Sequence, residues 1–299
     1  MRWRRRPVVP VPELPEVETV RRDLDREVVG RRITAAVVRG PRTVRRSPKA
    51  TLVKALTGAT VTGTRRAGKY LVLTLDTGRW LVIHLGMSGQ LLKAKQGIAH
   101  PKHTHAVFTF AEAPTGTRSR AKPAEFELLF VDPRTFGEMF MADPDDVSGT
   151  APELAELGID ALEGLSSWID FGRLVLAKRA RLKDLLTDQR VIAGIGNIYS
   201  DEILHNAGLR YDRRSDTLNM AELRRLFRAV HEVMQAGVAA RGSSLADEQY
   251  VDLYGQPGTF AAQHQVYARA GLACYRCRHT VEKTRWQGRS TFYCPACQV

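Results

Sequence analysis

The four cysteines of this 299-residue chain lie within its last 26 residues, and their spacing constrains the fold more than any other feature. Cys274 and Cys277 form one Cys-x-x-Cys pair, and Cys294 and Cys297 form a second pair after a gap of sixteen residues. This spacing is typical of a four-thiolate zinc site built on two knuckles. Two disulfide bonds are the alternative, which a reducing intracellular compartment disfavours. We therefore predict a small C-terminal module that depends on one structural Zn²⁺ for its fold.

The charge of the chain indicates a polyanionic partner. Its formal net charge is +13 and its isoelectric point is near 9.9, which fits DNA, RNA and acidic membranes alike. No apolar run reaches the length of a membrane span, so we expect a soluble, intracellular protein. A chain of this length has room for two or three domains.

The periodicity of apolar residues changes along the chain. A helical pattern runs from Pro15 until Gly30, and strand-like stretches follow, including a β-hairpin that turns at Thr77-Gly78. Helical periodicity returns after the broken, acidic stretch 143–164. The expected strands are 33–39, 60–66, 70–75, 80–84, 106–110 and 126–131, and the interposed stretch 113–124 is interpreted as a mobile loop.

Three helices are predicted after residue 165. Leu174, Leu182, Leu185 and Leu186 mark the first, 198–206 the second, which stops at Gly208, and a capping box formed by Asn219 and Glu222 starts the third. Gly194-Ile195-Gly196-Asn197 lies between the first two. Such glycines let a backbone approach a ligand closely, and the amides that open the next helix favour an anion, although most Gly-x-Gly turns are only turns.

A second unusual stretch is 11–18, Val-Pro-Glu-Leu-Pro-Glu-Val-Glu. Pro15 suits the first turn of a helix, and Glu16 and Glu18 suit the positive end of its dipole. On pattern alone this is an acidic start of an amphipathic helix.

Followed by Thr-Val-Arg-Arg, the same stretch resembles the N terminus of the formamidopyrimidine-DNA glycosylases. Five further segments match motifs of that family, in family order: 65–70, 84–89, 132–137, 194–199 and 288–294. The resemblance extends from Pro12 to Cys297. It implies an α+β multidomain fold with an N-terminal β-sandwich and a leading helix, a helical helix–two-turns–helix domain and a C-terminal zinc-ribbon finger. The expected boundaries are 1–11 for an N-terminal extension, 12–142 for the sandwich, 143–165 for a linker, 166–262 for the helical domain and 263–299 for the finger.

The resemblance also implies roles for individual residues. The secondary amine of Pro12 would attack C1′ of a damaged nucleotide, while Glu13 exchanges protons at the sugar ring oxygen. Met87, Arg134 and Phe136 would fill the hole that the damaged base leaves in the duplex. The implied contacts to DNA phosphates are made by Lys69, Asn197 and Arg289, of which Lys69 and Arg289 also serve catalysis. His84 is a further residue that the resemblance implies in DNA binding.

The implied activity is removal of oxidised purines from duplex DNA, followed by β- and δ-elimination at the abasic site. The stretch 247–260 would close over the purine. We expect a monomer that works on nucleoid DNA in the bacterial cytoplasm and binds no membrane. Three alternatives stay open: an endonuclease VIII-like enzyme for oxidised pyrimidines, a non-catalytic lesion-binding protein, and a general zinc-ribbon protein.

Eleven residues precede Pro12 in the sequence, and an amide nitrogen cannot attack a sugar carbon. Our hypothesis is that Met1 to Pro10 reflect a mis-assigned start, that a GUG codon at Val11 initiates the working protein, and that removal of the initiator exposes Pro12. Proteolytic processing is one alternative. The other is a true basic arm, carried by Arg2 and residues 4–6, on a protein that binds DNA without cutting it.

Overall fold

A computed structural model describes residues 12–40, 42–111, 125–245 and 249–299, which group into two compact units. The β unit comprises residues 12–157 and 237–261, and the helical unit comprises residues 158–236 and 262–299. The expected N-terminal extension 1–11 and the interpreted loop 113–124 lie outside the described residues.

The β unit contains a leading α-helix, eight strands and three further α-helices within the described ranges. In chain order these are α1 Leu14–Val28, β1 Ile33–Val38, α2 Lys49–Leu56, β2 Val61–Ala67, β3 Tyr70–Leu75, β4 Trp80–His84, β5 Gln90–Lys95, β6 Thr104–Phe110, β7 Phe126–Val131, β8 Glu138–Ala142, α3 Val147–Thr150 and α4 Pro152–Ala155. The predicted leading helix and the hairpin of β3 and β4 are confirmed. Sequence periodicity missed α2, β5 and β8.

The strands form two four-stranded antiparallel sheets, ordered β1-β6-β7-β5 and β2-β3-β4-β8. Alternate residues of both sheets, such as Phe108, Phe130, Leu73 and Ile83, join the apolar face of α1 in one buried cluster. Two sheets that enclose a shared core form a sandwich. The predicted β-sandwich with a leading helix is confirmed.

The helical unit and the end of the chain contain four helices and two small sheets. The helices are α5 Trp168–Lys178, α6 Leu182–Thr187, α7 Asn197–Ala207 and α8 Met220–Ala239, and the strands are β9 Ile159–Asp160, β10 Ile192–Ala193, β11 Glu282–Trp286 and β12 Arg289–Tyr293. The prediction of a single helix through Leu174 and Leu186 is wrong. Arg179 adopts a left-handed backbone with φ 47° and separates α5 from α6.

Local end signals located the other two helices correctly. Gly208, with φ 69°, caps the C terminus of α7. At the start of α8, the amide of Glu222 donates to Asn219 Oδ1 over 3.0 Å, and the amide of Asn219 donates to a Glu222 carboxylate oxygen over 2.9 Å. The predicted capping box is confirmed.

The division into units falls between residues 157 and 158, inside the expected linker, which here contains α3 and α4. Residues 237–261 group with the β unit, where the amide of Lys93 donates to the Leu253 carbonyl over 2.8 Å. The finer domain boundaries stay predictions. None of the helices in the described ranges has the length and apolar character that a membrane crossing requires.

Candidate active site and metal centre

The chain enters α1 through a buried segment. Pro12 is buried, and only 1% of Glu13 and 2% of Glu16 are exposed. One carboxylate oxygen of Glu16 accepts the Glu13 amide over 2.8 Å, and the other accepts the Ser243 amide over 2.7 Å. Glu16 therefore fixes the backbone at the start of α1 and ties it to residue 243.

Gly242 packs directly against this carboxylate. Its φ is +85°, and a Cβ placed there would lie 2.9 Å from Glu16 Cγ and Oε1. Only glycine has both the left-handed backbone and the missing side chain that this approach requires.

The stretch expected to close over the lesion is fastened to α1 along its described part, while residues 246–248 lie outside the description. Arg241 bonds two carboxylates, Asp23 over 2.5 Å and Asp252 over 2.6 Å. Burial raises the pKa of Asp23 although the Arg241 guanidinium opposes that shift. The Tyr254 hydroxyl donates to Glu27 over 2.9 Å.

Lys69 lies in the two-residue turn between β2 and β3, where Gly68 has φ 55°. A buried ion pair supports this turn, because Arg66 bonds Glu18 of α1 over 3.1 Å and donates to the Gly68 carbonyl over 3.2 Å. Burial would raise the pKa of Glu18, but hydrogen bonds from Arg21 and Arg22 hold that pKa below its ordinary value. Helix α1 and the Lys69 turn are thus held together by charge.

His84 ends β4 and lies against Tyr70, with ring centroids 4.7 Å apart. Burial and the charge of Lys69 lower the pKa of His84 to about 4, so the imidazole is neutral at neutral pH. Its Nδ1 accepts a hydrogen bond from the Gly86 amide over 3.3 Å. The ring proton therefore resides on Nε2, which makes His84 a neutral hydrogen-bond donor.

Met87, Arg134 and Phe136 lie on two neighbouring loops, 85–89 and 132–137. Phe136 is 50% exposed, Met87 and Arg134 are half-buried, and the Arg134 guanidinium lies 5.2 Å from the centre of the Phe136 ring. An aromatic ring outside the core beside a guanidinium, with a half-buried methionine on the neighbouring loop, presents the groups that a void in a base stack would accept.

Asn197 lies in the helical unit against the strand that begins with Arg289. Asn197 is the first residue of α7, and its Nδ2 donates to the Ser290 carbonyl over 3.0 Å. Its Oδ1 is buried and has no hydrogen-bond partner among the described residues. Arg289 is exposed and follows a tight turn in which Gln287 and Gly288 have φ 45° and 78°. Residues 287 and 288 thus form the two-residue turn of a β-hairpin between β11 and β12.

The four cysteines converge on one point. All four Sγ atoms lie within 4.8 Å of one another, and they are thiols without disulfide bonds. A tetrahedral zinc–thiolate centre with bonds of about 2.3 Å requires sulfur–sulfur separations of about 3.8 Å, and the Cys277–Cys294 and Cys274–Cys297 pairs are 3.4 and 3.9 Å apart. The buried His205 places Nε2 3.4 Å from Cys274 Sγ, the position of an outer-shell donor to a metal-bound thiolate. The donor set therefore fits a tetrahedral metal ion.

Sequence patterns missed two buried acids that attach this centre to α7. Asp201 bonds Lys183 over 2.5 Å and accepts the Phe292 amide over 2.9 Å. Glu202 accepts three successive backbone amides, from residues 265 to 267, over 2.8 to 3.0 Å. The signal was available, since two adjacent acids inside an apolar helix must find donors when they are buried.

Comparison with known families matches most of the chain. The family described as "Formamidopyrimidine-DNA glycosylase N-terminal domain" matches residues 11–139, and "Formamidopyrimidine-DNA glycosylase H2TH domain" matches residues 157–249. A formamidopyrimidine-DNA glycosylase of Acidothermus cellulolyticus is 40% identical over 295 residues, which is 96% of this chain and 97% of the relative. One from Desulfitobacterium hafniense is 36% identical over 289 residues, 97% of this chain and 100% of the relative.

Solved structures match over the same length. A complex between the Lactococcus lactis Fpg and an abasic site containing DNA has a TM-score of 0.84 at 30% identity, covering 96% of this chain and 99% of that one. A second complex of the same enzyme, a mutant bound to a Fapy-dG containing DNA, also has a TM-score of 0.84, at 31% identity and the same coverage.

Proposed function

The chain belongs to the formamidopyrimidine-DNA glycosylase family, and from that premise we propose that Pro12 is its catalytic nucleophile and that oxidised purines are its preferred lesions. Family membership makes it a base-excision-repair enzyme, a DNA glycosylase with AP lyase activity that acts on damaged duplex DNA. The Lactococcus lactis relative has been solved with Fapy-dG containing DNA, a lesion of the purine class, and also with an oxidized pyrimidine containing DNA. The proposed substrates are 8-oxoguanine and formamidopyrimidines.

The acidity of an N-terminal amine explains why a proline would serve. An α-amino group has a pKa of about 7.7–8.0, against about 10.4 for lysine, so a larger fraction is unprotonated at neutral pH. Attack of the Pro12 nitrogen on C1′ forms the N–C1′ bond and breaks the bond to the base, which leaves with the bonding electron pair and takes up the proton that the Pro12 nitrogen loses. Glu13 then protonates the ring oxygen as the sugar opens. The resulting iminium on a secondary amine is cationic and draws electrons from C2′, which permits β- and then δ-elimination of the flanking phosphates.

One observation carries this assignment. Pro12 and Glu13 are buried together at the start of α1, where Glu16 fixes the backbone through the Glu13 and Ser243 amides. The chemistry requires a chain in which Pro12 is the first residue. The match to the N-terminal domain of the family begins at residue 11, which supports that form.

The remaining groups bind and position the DNA. Lys69 and Arg289 supply positive charge to the phosphates around the reacting sugar, His84 donates a neutral hydrogen bond from Nε2, and Asn197 binds the flanking phosphate beside the amides of α7. Met87, Arg134 and Phe136 occupy the space left in the duplex, since flipping a nucleotide costs a few kcal/mol that such contacts offset.

We assign one structural Zn²⁺ to Cys274, Cys277, Cys294 and Cys297. Zinc would hold the four thiolates together. It would thereby also hold the β11–β12 hairpin, which bears Arg289 and leads into Cys294. We place the enzyme on chromosomal DNA in the bacterial cytoplasm, in keeping with its bacterial relatives.

The proposal is tested with two proteins, one beginning at Pro12 and one carrying all 299 residues. Duplexes contain either 8-oxoguanine opposite cytosine or thymine glycol. We expect the Pro12 form to nick the 8-oxoguanine duplex faster than the thymine glycol duplex and to leave a one-nucleotide gap. The longer form should bind both duplexes without nicking them. Equal nicking by the longer form would overturn the nucleophile, and faster nicking of thymine glycol would overturn the lesion preference.

A further inference from the structure

The two loops that carry Met87, Arg134 and Phe136 cross the sandwich side by side. Loop 85–89 leads from β4 in one sheet to β5 in the other, and loop 132–137 returns from β7 to β8. The residues that flank the two loops pair with each other at both ends. His84 pairs with Glu138 in one sheet, and Gln90 pairs with Val131 in the other. We call these two loops the wedge loops.

A single buried carboxylate joins the wedge loops. Asp132 is fully buried, and its Oδ1 accepts the Ser88 hydroxyl over 2.6 Å and the Arg134 amide over 3.2 Å. Its Oδ2 accepts the Gly137 amide over 2.8 Å. The backbone of Asp132 is anchored in turn, since its amide donates to the His103 carbonyl over 3.0 Å. A buried charge is stable only with such a set of donors, and the three donors found among the described residues all come from the wedge loops.

The backbones of the wedge loops also touch. A Cβ on Gly86 would lie 2.5 Å from the Gly137 nitrogen and from the Phe136 carbonyl carbon. A Cβ on Gly137 would lie 3.0 Å from the carbonyl oxygens of His84 and Leu85. The backbones of the two loops are therefore in close contact at this point, with no space for a side chain between them.

We propose that Asp132 is a positioning residue that makes the wedge loops one rigid element, so that Met87, Arg134 and Phe136 enter the duplex together. This inference rests on the proposed function, which places those three side chains in the DNA. The conformational entropy of a preformed element is lost during folding. No further entropy is therefore lost in ordering these loops when the lesion is bound.

The first test is a double-mutant cycle on binding to a duplex with a tetrahydrofuran abasic analogue, which needs no chemistry. Met87→Ala and Phe136→Ala should be non-additive by at least about threefold in affinity, because the two side chains act as a unit. In an Asp132→Asn background, where an amide replaces one acceptor, the same two substitutions should become additive. Ser88→Ala removes one donor, keeps the carboxylate and should reduce the coupling in part.

The second test compares β-elimination of abasic sites in duplex and in single-stranded DNA, since a single strand has no void to fill. Asp132→Asn should lower the duplex-to-single-strand rate ratio by about tenfold. Asp143→Asn is the matched control. The Asp143 carboxylate accepts the Asp145 amide in a turn of the same unit, and that turn holds none of the proposed DNA contacts. It should leave the ratio unchanged.

Equal losses on both substrates, or full coupling in the Asp132→Asn background, would overturn the inference. Circular dichroism of each variant identifies loss of fold, in which case Ser88→Ala decides the coupling. Failure of the proposed nucleophile is a separate outcome, because it removes nicking by the unsubstituted Pro12 form while the binding cycle still measures the wedge loops.

Discussion

The β unit encloses a large apolar cluster drawn from α1 and both sheets, whereas residues 263–299 bury few apolar side chains. Those few are Val266, Tyr267, Val281 and Phe292, beside Cys274 and Cys294. The finger instead relies on its cysteine cluster and on backbone amides that end on Asp201 and Glu202. The difference teaches that the β unit has an apolar core of its own, whereas the finger, which buries little apolar surface, depends on its cysteine cluster and on the buried acids of α7.

Loss of the metal should separate the two regions most strongly. Cys294→Ser, or treatment with a strong chelator, is expected to unfold the finger because little apolar surface remains to hold it. Hydrogen-exchange mass spectrometry should show full exchange across 274–297 and unchanged protection in α1 and β3. Retained protection of the finger would break the comparison.

The buried ion pair of the helical unit should give the next largest effect. Lys183→Met leaves Asp201 buried without its counter-ion, and we expect a loss of about 3 kcal/mol in the free energy of unfolding. Burial already raises the pKa of Asp201 to about 7. Arg173→Ala, which breaks an exposed pair with Asp170, is the control and should cost below about 0.5 kcal/mol. Urea unfolding measures both, and equal costs would contradict the role of buried charge.

Steric contact at the start of α1 can be measured with two glycines. Gly242→Ala and Gly255→Ala both place alanine at positive φ, but only Gly242 has Glu16 within 3 Å, while Gly255 has open space. Gly255→Ala should lower the free energy of unfolding by about 1 kcal/mol. Gly242→Ala should lower it by about 2 kcal/mol and should also slow lesion nicking. Thermal unfolding and single-turnover rates measure the difference. Identical costs would show that Gly242 serves only its backbone conformation.

The smallest expected effect is a pH dependence from His84. Its pKa is about 4 in the folded chain and about 6.5 when unfolded, so between these values the unfolded state binds more protons. The contribution of the neutral His84 to the free energy of unfolding is therefore fully present above pH 6.5, and it falls as the pH drops toward 4. Because the ring is partly exposed, we expect a difference of about 1 kcal/mol between the unsubstituted protein and His84→Gln. Parallel pH profiles would contradict a neutral His84.

The sequence predicted those features whose causes are local. The capping box of α8, the Gly208 stop of α7 and the β3–β4 hairpin depend on residues a few positions apart, and so does each cysteine knuckle. Motif resemblance supplied the roles proposed for Pro12 and Asn197, which stay predictions.

Long-range partners could not be predicted in this way. Asp132 meets Ser88 across 44 positions, and Glu16 meets Ser243 across 227. Each acid also accepts amides from its own segment, but these long-range donors reach it only through the packing of the sheets or of residues 237–261. The break between α5 and α6 was missed for a related reason, since no glycine or proline marks the left-handed Arg179.

The central claim is that the Pro12 nitrogen attacks the sugar. The direct measurement is borohydride trapping of the Pro12 form on an 8-oxoguanine duplex, followed by tandem mass spectrometry of the linked peptide. The account predicts a reduced sugar adduct on the nitrogen of Pro12 alone. An adduct on Lys69 or another lysine, with Pro12 unmodified, would contradict it.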